Sequence, residues 1–302
     1  MPSPIMEIFF NLVNHTASLI VVIYILTRTG AFSGTDRSGT NIKKRLMIVF
    51  LFGLLSIYGT IDSINIFGAQ ANVRDLGPMI AGLIGGPWVG LGAGVIGGIH
   101  RYLFGGLTRF PCALATIFAG LAGGLVFKLN KGSLLKPWTA ILFAAALESF
   151  HMLLVLALAR PYDQALLVVK EIAVPMIVAN SLGLLLFVLI VRNYKREQEA
   201  ETARKKIESD LKVAHDIQVS MLPRIYPPFP NRKEFSIFAT MEPAREVGGD
   251  FFDYALLTDN RLYFVIGDVS DKGVSAALFM VICKTLLKLS LIHISEPTRL
   301  RR

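Results

Sequence analysis

The chain has 302 residues, of which 53% are hydrophobic and 18% are charged, and its formal net charge is +9 at pH 7. These values predict a membrane protein with a soluble end rather than a wholly soluble domain. The basic excess fits the cytoplasmic flanks of membrane spans, so it gives no reason to expect a nucleic-acid partner. The two cysteines, Cys112 and Cys283, lie far apart, which excludes a disulfide framework and a cysteine-based zinc site.

Residues 1–192 are expected to cross a membrane about six times, because each apolar segment is near the ~20 residues that a spanning helix needs. No basic segment precedes the first apolar run, which favours an uncleaved span over a signal peptide. The predicted spans are residues 5–27, 44–66, 76–99, 111–129, 137–159 and 166–191.

The third predicted span is rich in glycine throughout. Small residues at such spacing allow helices to pack at close range. The breaks at Gly77-Pro78 and Gly86-Pro87 also allow two half-spans, or a re-entrant segment buried within the bundle. These alternatives stay open at the level of sequence.

Basic residues give a partial orientation. Arg192, Lys195 and Arg196 closely follow the last predicted span, which places the C-terminal side in the cytoplasm. Residues 43–45 are also basic, and six simple crossings would put them on the opposite side. The orientation of the N-terminus is therefore left open.

Several polar residues fall inside these spans or at their edges. An ionisable group inside a membrane is a candidate functional site by default. The alternative is that such groups satisfy one another or extend to the interface. Glu148 and His151 share one helix face because they are three residues apart. The predicted signal site consists of Asn72, Arg74, Asp75, Arg101, Glu148 and His151.

Short motifs rich in glycine, proline and polar residues recur within residues 30–192, at 72–78, 81–87, 98–101, 105–106 and 111–112. Together these motifs resemble the multi-span sensor module of the LytS family. That family is best known as the receptor half of bacterial cell-wall and metabolite-sensing histidine kinases. The resemblance implies a receptor in the bacterial inner membrane that senses an unknown extracellular or intramembrane ligand.

Residues 193–222 change abruptly to charges of both signs. Apolar or small residues recur there at spacings of three and four, which predicts a helix with a narrow stripe close to a coiled-coil seam. Such a helix favours a parallel homodimer that transmits a twist or a shift, and the alternative is a solvated single-helix spacer. The stripe consists of Ala200, Ala203, Ile207, Leu211, Ala214, Ile217 and Met221.

Residues 246–273 carry a β-hairpin pattern, with apolar runs at 251–257 and 262–266 around a turn at 258–261. A short strand is expected before it at 235–240 and a buried helix after it at 274–288. Asp250 begins the first strand and Asp268 follows the second, so pairing brings them within roughly 5–8 Å. Two carboxylates this close repel unless a cation or proton lies between them, and Mg²⁺ or Mn²⁺ prefers such oxygen ligands. The alternative is a pair of turn acids. The residues predicted to line this site are Glu246, Gly248, Gly249 and Gly267.

Residues 207–288 resemble the RsbU/SpoIIE branch of the PP2C-type metal-dependent protein phosphatases, through the linker end and the two acidic motifs. In that family the acids that match Asp250 and Asp268 bind metal, as does the backbone carbonyl that matches Val269. The resemblance implies two Mn²⁺ or Mg²⁺ ions and no catalytic residue apart from the metal ligands. The implied substrate is a phosphorylated anti-anti-sigma (STAS-type) protein.

This phosphatase domain would be incomplete, because the family's other metal-binding aspartates lie beyond the last residue of the chain. Residues 289–302 match the translation of a transposase adaptor used in sequencing libraries, and the alternative is a genuine basic tail. The expected fold is a polytopic helical membrane bundle, a signalling helix and an incomplete α+β PP2C-like domain. The expected segments are a sensor at 1–192, a linker helix at 193–222, a phosphatase part at 223–288 and an artefact at 289–302.

The function predicted from sequence is therefore a membrane-bound receptor phosphatase that is truncated and catalytically inactive. A diguanylate cyclase is disfavoured because Phe251 replaces the acid that should follow Gly249-Asp250. The receptor half of a sensor histidine kinase is a second alternative, although no ATP-binding boxes follow His215. A ligand-binding or transporter-like protein without catalysis is the third.

Overall fold

The computed structural model describes residues 4–28, 42–242, 246–257 and 260–295. The chain divides after Glu197 into two compact units, which are described separately.

The first unit is a bundle of helices with one small β-hairpin. Strand β1 (Ile64–Ile66) pairs antiparallel with β2 (Ala69–Ala71), so that Ile64 lies opposite Ala71. The helices are α1 (Pro4–Arg28), α2 (Ile42–Ile61), α3 (Leu76–Gly85), α4 (Pro87–Phe104), α5 (Arg109–Leu129), α6 (Pro137–Leu158) and α7 (Tyr162–Ser220), of which α7 continues into the second unit.

The described residues contain six helices that are long and apolar enough to cross a membrane. Five of them correspond to predicted spans, which confirms a multi-span helical bundle. The six are Ile8–Arg28, Ile42–Ile61, Arg109–Leu129, Pro137–Leu158, Tyr162–Ser220 and Val274–His293.

The predicted third span is two helices rather than one. Helix α3 has 10 residues and is followed by Gly86, where φ is 86°, a backbone conformation that favours glycine. Pro87 then occupies the first position of α4, where its missing N–H is not needed. At 1.5 Å per residue, α3 is about 15 Å long, so it is too short to cross a hydrocarbon core of about 30 Å. Of the alternatives left open for residues 76–99, the structure therefore shows no single continuous span, because the Gly-Pro break divides the segment into two helices.

Helices α3 and α4 pack on α5 through glycines. A methyl group at Gly82 or Gly90 would overlap the carbonyl oxygen of Gly120. A methyl group at Gly124 would overlap the backbone of Pro87. The helix backbones are therefore in direct contact, which confirms the prediction of close packing through small residues.

Helix α7 is continuous over 59 residues, which confirms the helix predicted after residue 193 as far as Ser220. Two residues of the predicted stripe, Ile207 and Ile217, are exposed in the single chain. Ion pairs between residues four apart, Glu201–Lys205 and Arg204–Glu208, lie on the solvated surface of the same stretch.

In the second unit, β3 (Phe251–Leu256) pairs antiparallel with β4 (Leu262–Gly267), which confirms the predicted hairpin. Its predicted turn lies partly outside the described residues. Helix α8 (Val274–Ser295) is fastened to β3 by Lys284, whose Nζ donates to the carbonyl of Phe252 at 3.1 Å. The same Nζ lies 2.7 Å from Oδ2 of Asp253.

Two structural predictions for the second unit are wrong. Residues 235–240 form no strand, because the described sheet contains only β3 and β4 and offers them no pairing partner. The helix predicted to be buried at 274–288 buries only one face. Ala276 and Met280 on that face are fully covered, whereas Leu278 and Phe279 are more than half exposed. A two-stranded sheet covers only one side of a helix, so the layered PP2C-like domain is not found among the described residues.

Candidate functional site

Buried charged side chains from three segments meet in the first unit. Arg74 and Asp75 lie just before α3, Thr116 lies on α5, and Glu148 and His151 lie on α6. All five are at most 5% exposed. Glu148 and His151, the predicted i,i+3 pair on α6, therefore lie beside the charged pair Arg74-Asp75, although about 70 residues separate the two pairs in sequence.

The His151 ring is the centre of this group. Its Nδ1 lies 3.0 Å from Oε1 of Glu148 and 3.2 Å from Oδ2 of Asp75. Its Nε2 lies 3.3 Å from the Sγ of Cys112 on α5. An imidazole nitrogen carries at most one proton, so two carboxylates compete for one donor at Nδ1.

Thr116 bridges the charges on its other side. Arg74 Nε donates to the Thr116 hydroxyl at 2.7 Å, and that hydroxyl lies 2.7 Å from Oδ1 of Asp75. The carbonyl of Cys112 is a second acceptor for it at 2.9 Å. Because a hydroxyl both donates and accepts, Thr116 can fix Arg74 relative to Asp75.

Two buried arginines keep donors without a partner among the described residues. They are Nη1 and Nη2 of Arg74 and Nε of Arg101. Arg101 donates through Nη1 to the carbonyl of Gly105 at 2.5 Å and through Nη2 to Thr108 at 3.1 Å. Buried polar groups in native proteins are nearly always paired, so these free donors mark a place where a ligand would fit.

Of the six residues predicted for a signal site, four form this centre and one borders it. We call Arg74, Asp75, Arg101, Cys112, Thr116, Glu148 and His151 the buried polar cluster. Asn72 has a local role instead, because its Oδ1 accepts from the backbone N–H of Arg74 at 3.3 Å. Its Nδ2 donates to the carbonyl of Gln70 at 3.2 Å.

Cys112 and Thr116 were not predicted as site residues from the sequence. A hydroxyl or a thiol within an apolar span gives little signal, because either can be satisfied by its own helix. One sequence feature could have indicated these two residues. Cys112 and Thr116 are four positions apart, which puts both on one face of α5.

The hairpin of the second unit holds the other predicted site. The strand register, continued one position beyond Phe251 and Gly267, puts Asp250 opposite Asp268. The N–H of Val269 bonds the carbonyl of Gly249 at 3.3 Å, so the two aspartates form a non-hydrogen-bonded pair with Cα atoms about 4.5 Å apart. The backbone pairing agrees with the sequence analysis, and metal binding by Asp250, Asp268 and the Val269 carbonyl stays a prediction.

The end of α7 holds the loop before this hairpin. The amide of Gln218 donates from Nε2 to the carbonyl of Gly248 at 2.5 Å and accepts from the Gly248 N–H at 3.2 Å. His215 Nδ1 lies 2.6 Å from the carbonyl of Glu246. Glu246 and Gly248 are therefore held in place through their backbones.

The family model described as 5TMR of 5TMR-LYT matches residues 29–194, which is more than half of the chain. The chain belongs to this family. The match covers α2 to α6, the first part of α7 and every residue of the buried polar cluster. The resemblance to the LytS-type sensor module is thus confirmed, and the first unit is a multi-span membrane sensor module.

Similar proteins of this kind are named as sensors. The chain is 33% identical to the sensor histidine kinase BtsS of Escherichia coli K12 over 203 residues, which cover 64% of this chain and 36% of BtsS. It is 32% identical to the sensor histidine kinase YpdA of the same strain over 215 residues, 70% of this chain and 36% of YpdA. It is 29% identical to the sensor protein LytS of Bacillus subtilis 168 over 203 residues, 61% of this chain and 34% of LytS.

The matched region spans about a third of the length of these relatives. No solved structure matches the chain.

The predicted phosphatase activity is wrong. BtsS and YpdA are named as histidine kinases, and this overturns both the activity and the assignment as a PP2C-like enzyme. The anti-anti-sigma partner, which rested on that activity, has no support. The prediction failed because the two Gly-Asp motifs are local patterns. They specify a two-stranded hairpin, but they do not specify the remaining sheets and helices of a phosphatase domain. The segment boundaries at residues 192, 222 and 288 are not tested and stay predictions.

Proposed function

We propose that this chain is the signal-receiving part of a membrane sensor of the histidine kinase type, placed in the bacterial inner membrane. The family match and the names of the relatives support this proposal. The buried polar cluster is its signal site, because it gathers ionisable groups from separate helices inside an apolar bundle.

The ligand is a small anion, most simply a carboxylate. The observation that carries this proposal is the fully buried Arg74, whose Nη1 and Nη2 have no partner among the described residues. A guanidinium presents a planar fork of donors that matches a carboxylate or a phosphate. The Nε of Arg101, which also has no partner among the described residues, is a buried donor on a second positively charged guanidinium. An anion that pairs with these donors would remove the cost of leaving them unsatisfied.

The signal leaves the bundle through α7, with the C-terminal side in the cytoplasm. Support for this comes from the continuity of α7 from Tyr162 to Ser220 and from the basic residues that follow the apolar part. A change in how the bundle packs around a ligand can move such a helix as a rigid element.

Anion binding tests this proposal. The full chain in detergent is titrated calorimetrically with two- to four-carbon carboxylates and with inorganic phosphate. We expect at least one to bind, and Arg74→Gln to weaken that binding by at least tenfold. Hydrogen bonds to charged groups contribute about 1.5–3 kcal/mol, which corresponds to roughly 10- to 150-fold.

Arg109→Gln is the matched control. The Arg109 guanidinium lies over the Tyr102 ring at 5.2 Å and is not part of the cluster, so its loss should leave anion affinity unchanged. Equal effects of the two substitutions, or no binding of any anion by the unsubstituted chain, would contradict the proposal.

A further inference from the structure

The three groups around His151 have the arrangement of metal ligands. One nitrogen of His151 and one oxygen each of Asp75 and Glu148 all lie within 4.8 Å of one another. The facing distances at Nδ1 are 3.0 Å to Glu148 and 3.2 Å to Asp75. Ligands that sit about 2.1 Å from one ion at octahedral or tetrahedral angles are about 3.0–3.4 Å apart. Both distances from His151 fall within that range, and the two carboxylate oxygens lie within 4.8 Å of each other.

Two carboxylates, those of Asp75 and Glu148, converge on one nitrogen of His151. The Sγ of Cys112 lies 3.3 Å from Nε2 and offers an acceptor on that side of the ring. If Nε2 carries the proton, the Nδ1 lone pair faces two carboxylates. That arrangement is unfavourable in a buried site unless a proton or a metal ion occupies the space between them. A proton can serve only one carboxylate, whereas a metal ion serves both.

The surroundings also resemble the outer shell of a metal centre. Histidines that bind metal usually donate their other ring N–H to a neighbouring acceptor, the place that Cys112 occupies. Bound carboxylates are in turn usually hydrogen-bonded, the role that Thr116 has towards Asp75 at 2.7 Å. Nη1 and Nη2 of Arg74, in the same cluster and on a fully buried side chain, are donors without a partner among the described residues, and an anion rather than a cation would satisfy them.

We infer that Asp75, Glu148 and His151 form a binding site for one borderline divalent cation such as Zn²⁺ or Co²⁺. Imidazole together with carboxylates suits these ions better than Mg²⁺ or Ca²⁺, which prefer oxygen ligands alone. Three protein ligands leave coordination positions open, and an anion that also pairs with Arg74 could fill one of them. The metal site adds to the proposed signal site. Only the binding of an anion to the metal and to Arg74 rests on the proposed function.

Metal content of the full chain tests the ion itself. The tag-free protein in detergent is loaded with Zn²⁺, freed of unbound metal and measured by mass spectrometry of its metal content, with no carboxylate or phosphate present. Glu148→Gln and Asp75→Asn should each weaken binding at least tenfold and lower the content by about one ion per chain. Helical circular dichroism identifies which variants are folded.

One variant serves as the control. Asp62→Asn removes another histidine–carboxylate contact, His15 Nε2 to Asp62 at 3.4 Å, which has no third metal-ligating partner among the described residues. This variant should retain the ion that Glu148→Gln loses.

A spectroscopic measurement on the unsubstituted chain does not depend on whether a variant folds. Co²⁺ added to the unsubstituted chain should give visible d–d absorption bands typical of nitrogen and oxygen coordination, and these bands should disappear in Glu148→Gln. Absence of bands in the unsubstituted chain, or an equal metal content in Glu148→Gln, overturns the inference. Anion binding is then measured with the metal chelated, so that failure of the ion site and failure of the signal site are distinguished.

Discussion

Thr116 shows how one side chain can set the geometry of a charged site. Its hydroxyl lies 2.7 Å from both the Nε of Arg74 and Oδ1 of Asp75, whereas Arg74 and Asp75 themselves are 3.4 Å apart. The hydroxyl therefore keeps two opposite charges close without a tight direct ion pair. This arrangement leaves the far edge of the Arg74 guanidinium available to a ligand.

We predict that Thr116→Val, which keeps the shape of the side chain, destabilises the bundle by about 1–3 kcal/mol. The reason is that a buried cation and a buried carboxylate each lose a hydrogen-bond partner. The measurement is thermal unfolding of the chain in detergent. Thr27→Val is the control, because the Thr27 hydroxyl donates only to the carbonyl of Ile23 in its own helix, at 2.8 Å. Equal losses for the two variants would show that Thr116 has no bridging role.

The sequence predicted the charged members of the site but not the groups that hold them. Arg74, Asp75, Glu148 and His151 were identifiable because charges in apolar spans are costly and therefore conspicuous. Their contact across about 70 residues depends on the packing of α6 against α5 and on the position of the segment before α3, which no local pattern encodes. Thr116 was missed for the same reason, because its role exists only once α5 lies beside Arg74.

At the scale of elements, the break at Gly86 and the glycine contacts decide how the site is built. Helix α3 ends after 10 residues, and its start carries Asp75 into the bundle. The apolar segments were predictable because length and hydropathy are local properties. Whether the segment around the Gly-Pro break forms one helix or two depends on which element packs against it. In the structure, α3 and α4 on either side of the break both pack against the backbone of α5.

We predict that Gly90→Ala separates α4 from α5 and lowers the stability of the bundle strongly. The added methyl group would overlap a backbone carbonyl, that of Gly120, which cannot move without its helix. Overpacking of this kind costs typically about 1–3 kcal/mol, and more where backbone has to shift. Thermal unfolding in detergent measures the effect.

Gly92→Ala is the matched control on the same helix. Its methyl group would meet the side chain of Val49 at 2.9 Å, and a side chain can adjust more readily than a backbone. The interpretation of α4–α5 contact would be contradicted if Gly92→Ala destabilised the bundle as much as Gly90→Ala.

At the scale of the whole molecule, α7 is the element through which a sensor of this kind would send its signal. An uninterrupted helix can transmit a rotation or an axial shift, but a single helix in solvent has no partner against which it can move. The α7 helix of a second copy provides such a partner, because two stripes packed against each other have a small number of discrete registers. Ile207 and Ile217, exposed in the single chain, are the side chains that such packing would cover.

We therefore predict that two copies of the chain associate through this stripe. In a Cys283→Ser background, Ile207→Cys should form a disulfide-linked dimer rapidly under mild oxidation in membranes, because the two introduced thiols would face each other across the seam. Lys205→Cys is the control, since Lys205 pairs with Glu201 at 2.7 Å on the solvated side of the helix and should cross-link much more slowly. Equal rates would mean that collisions in the membrane, rather than a defined seam, bring the helices together. If Ile207→Cys forms no dimer, α7 is a solvated spacer, and the signal must then pass along it within a single chain.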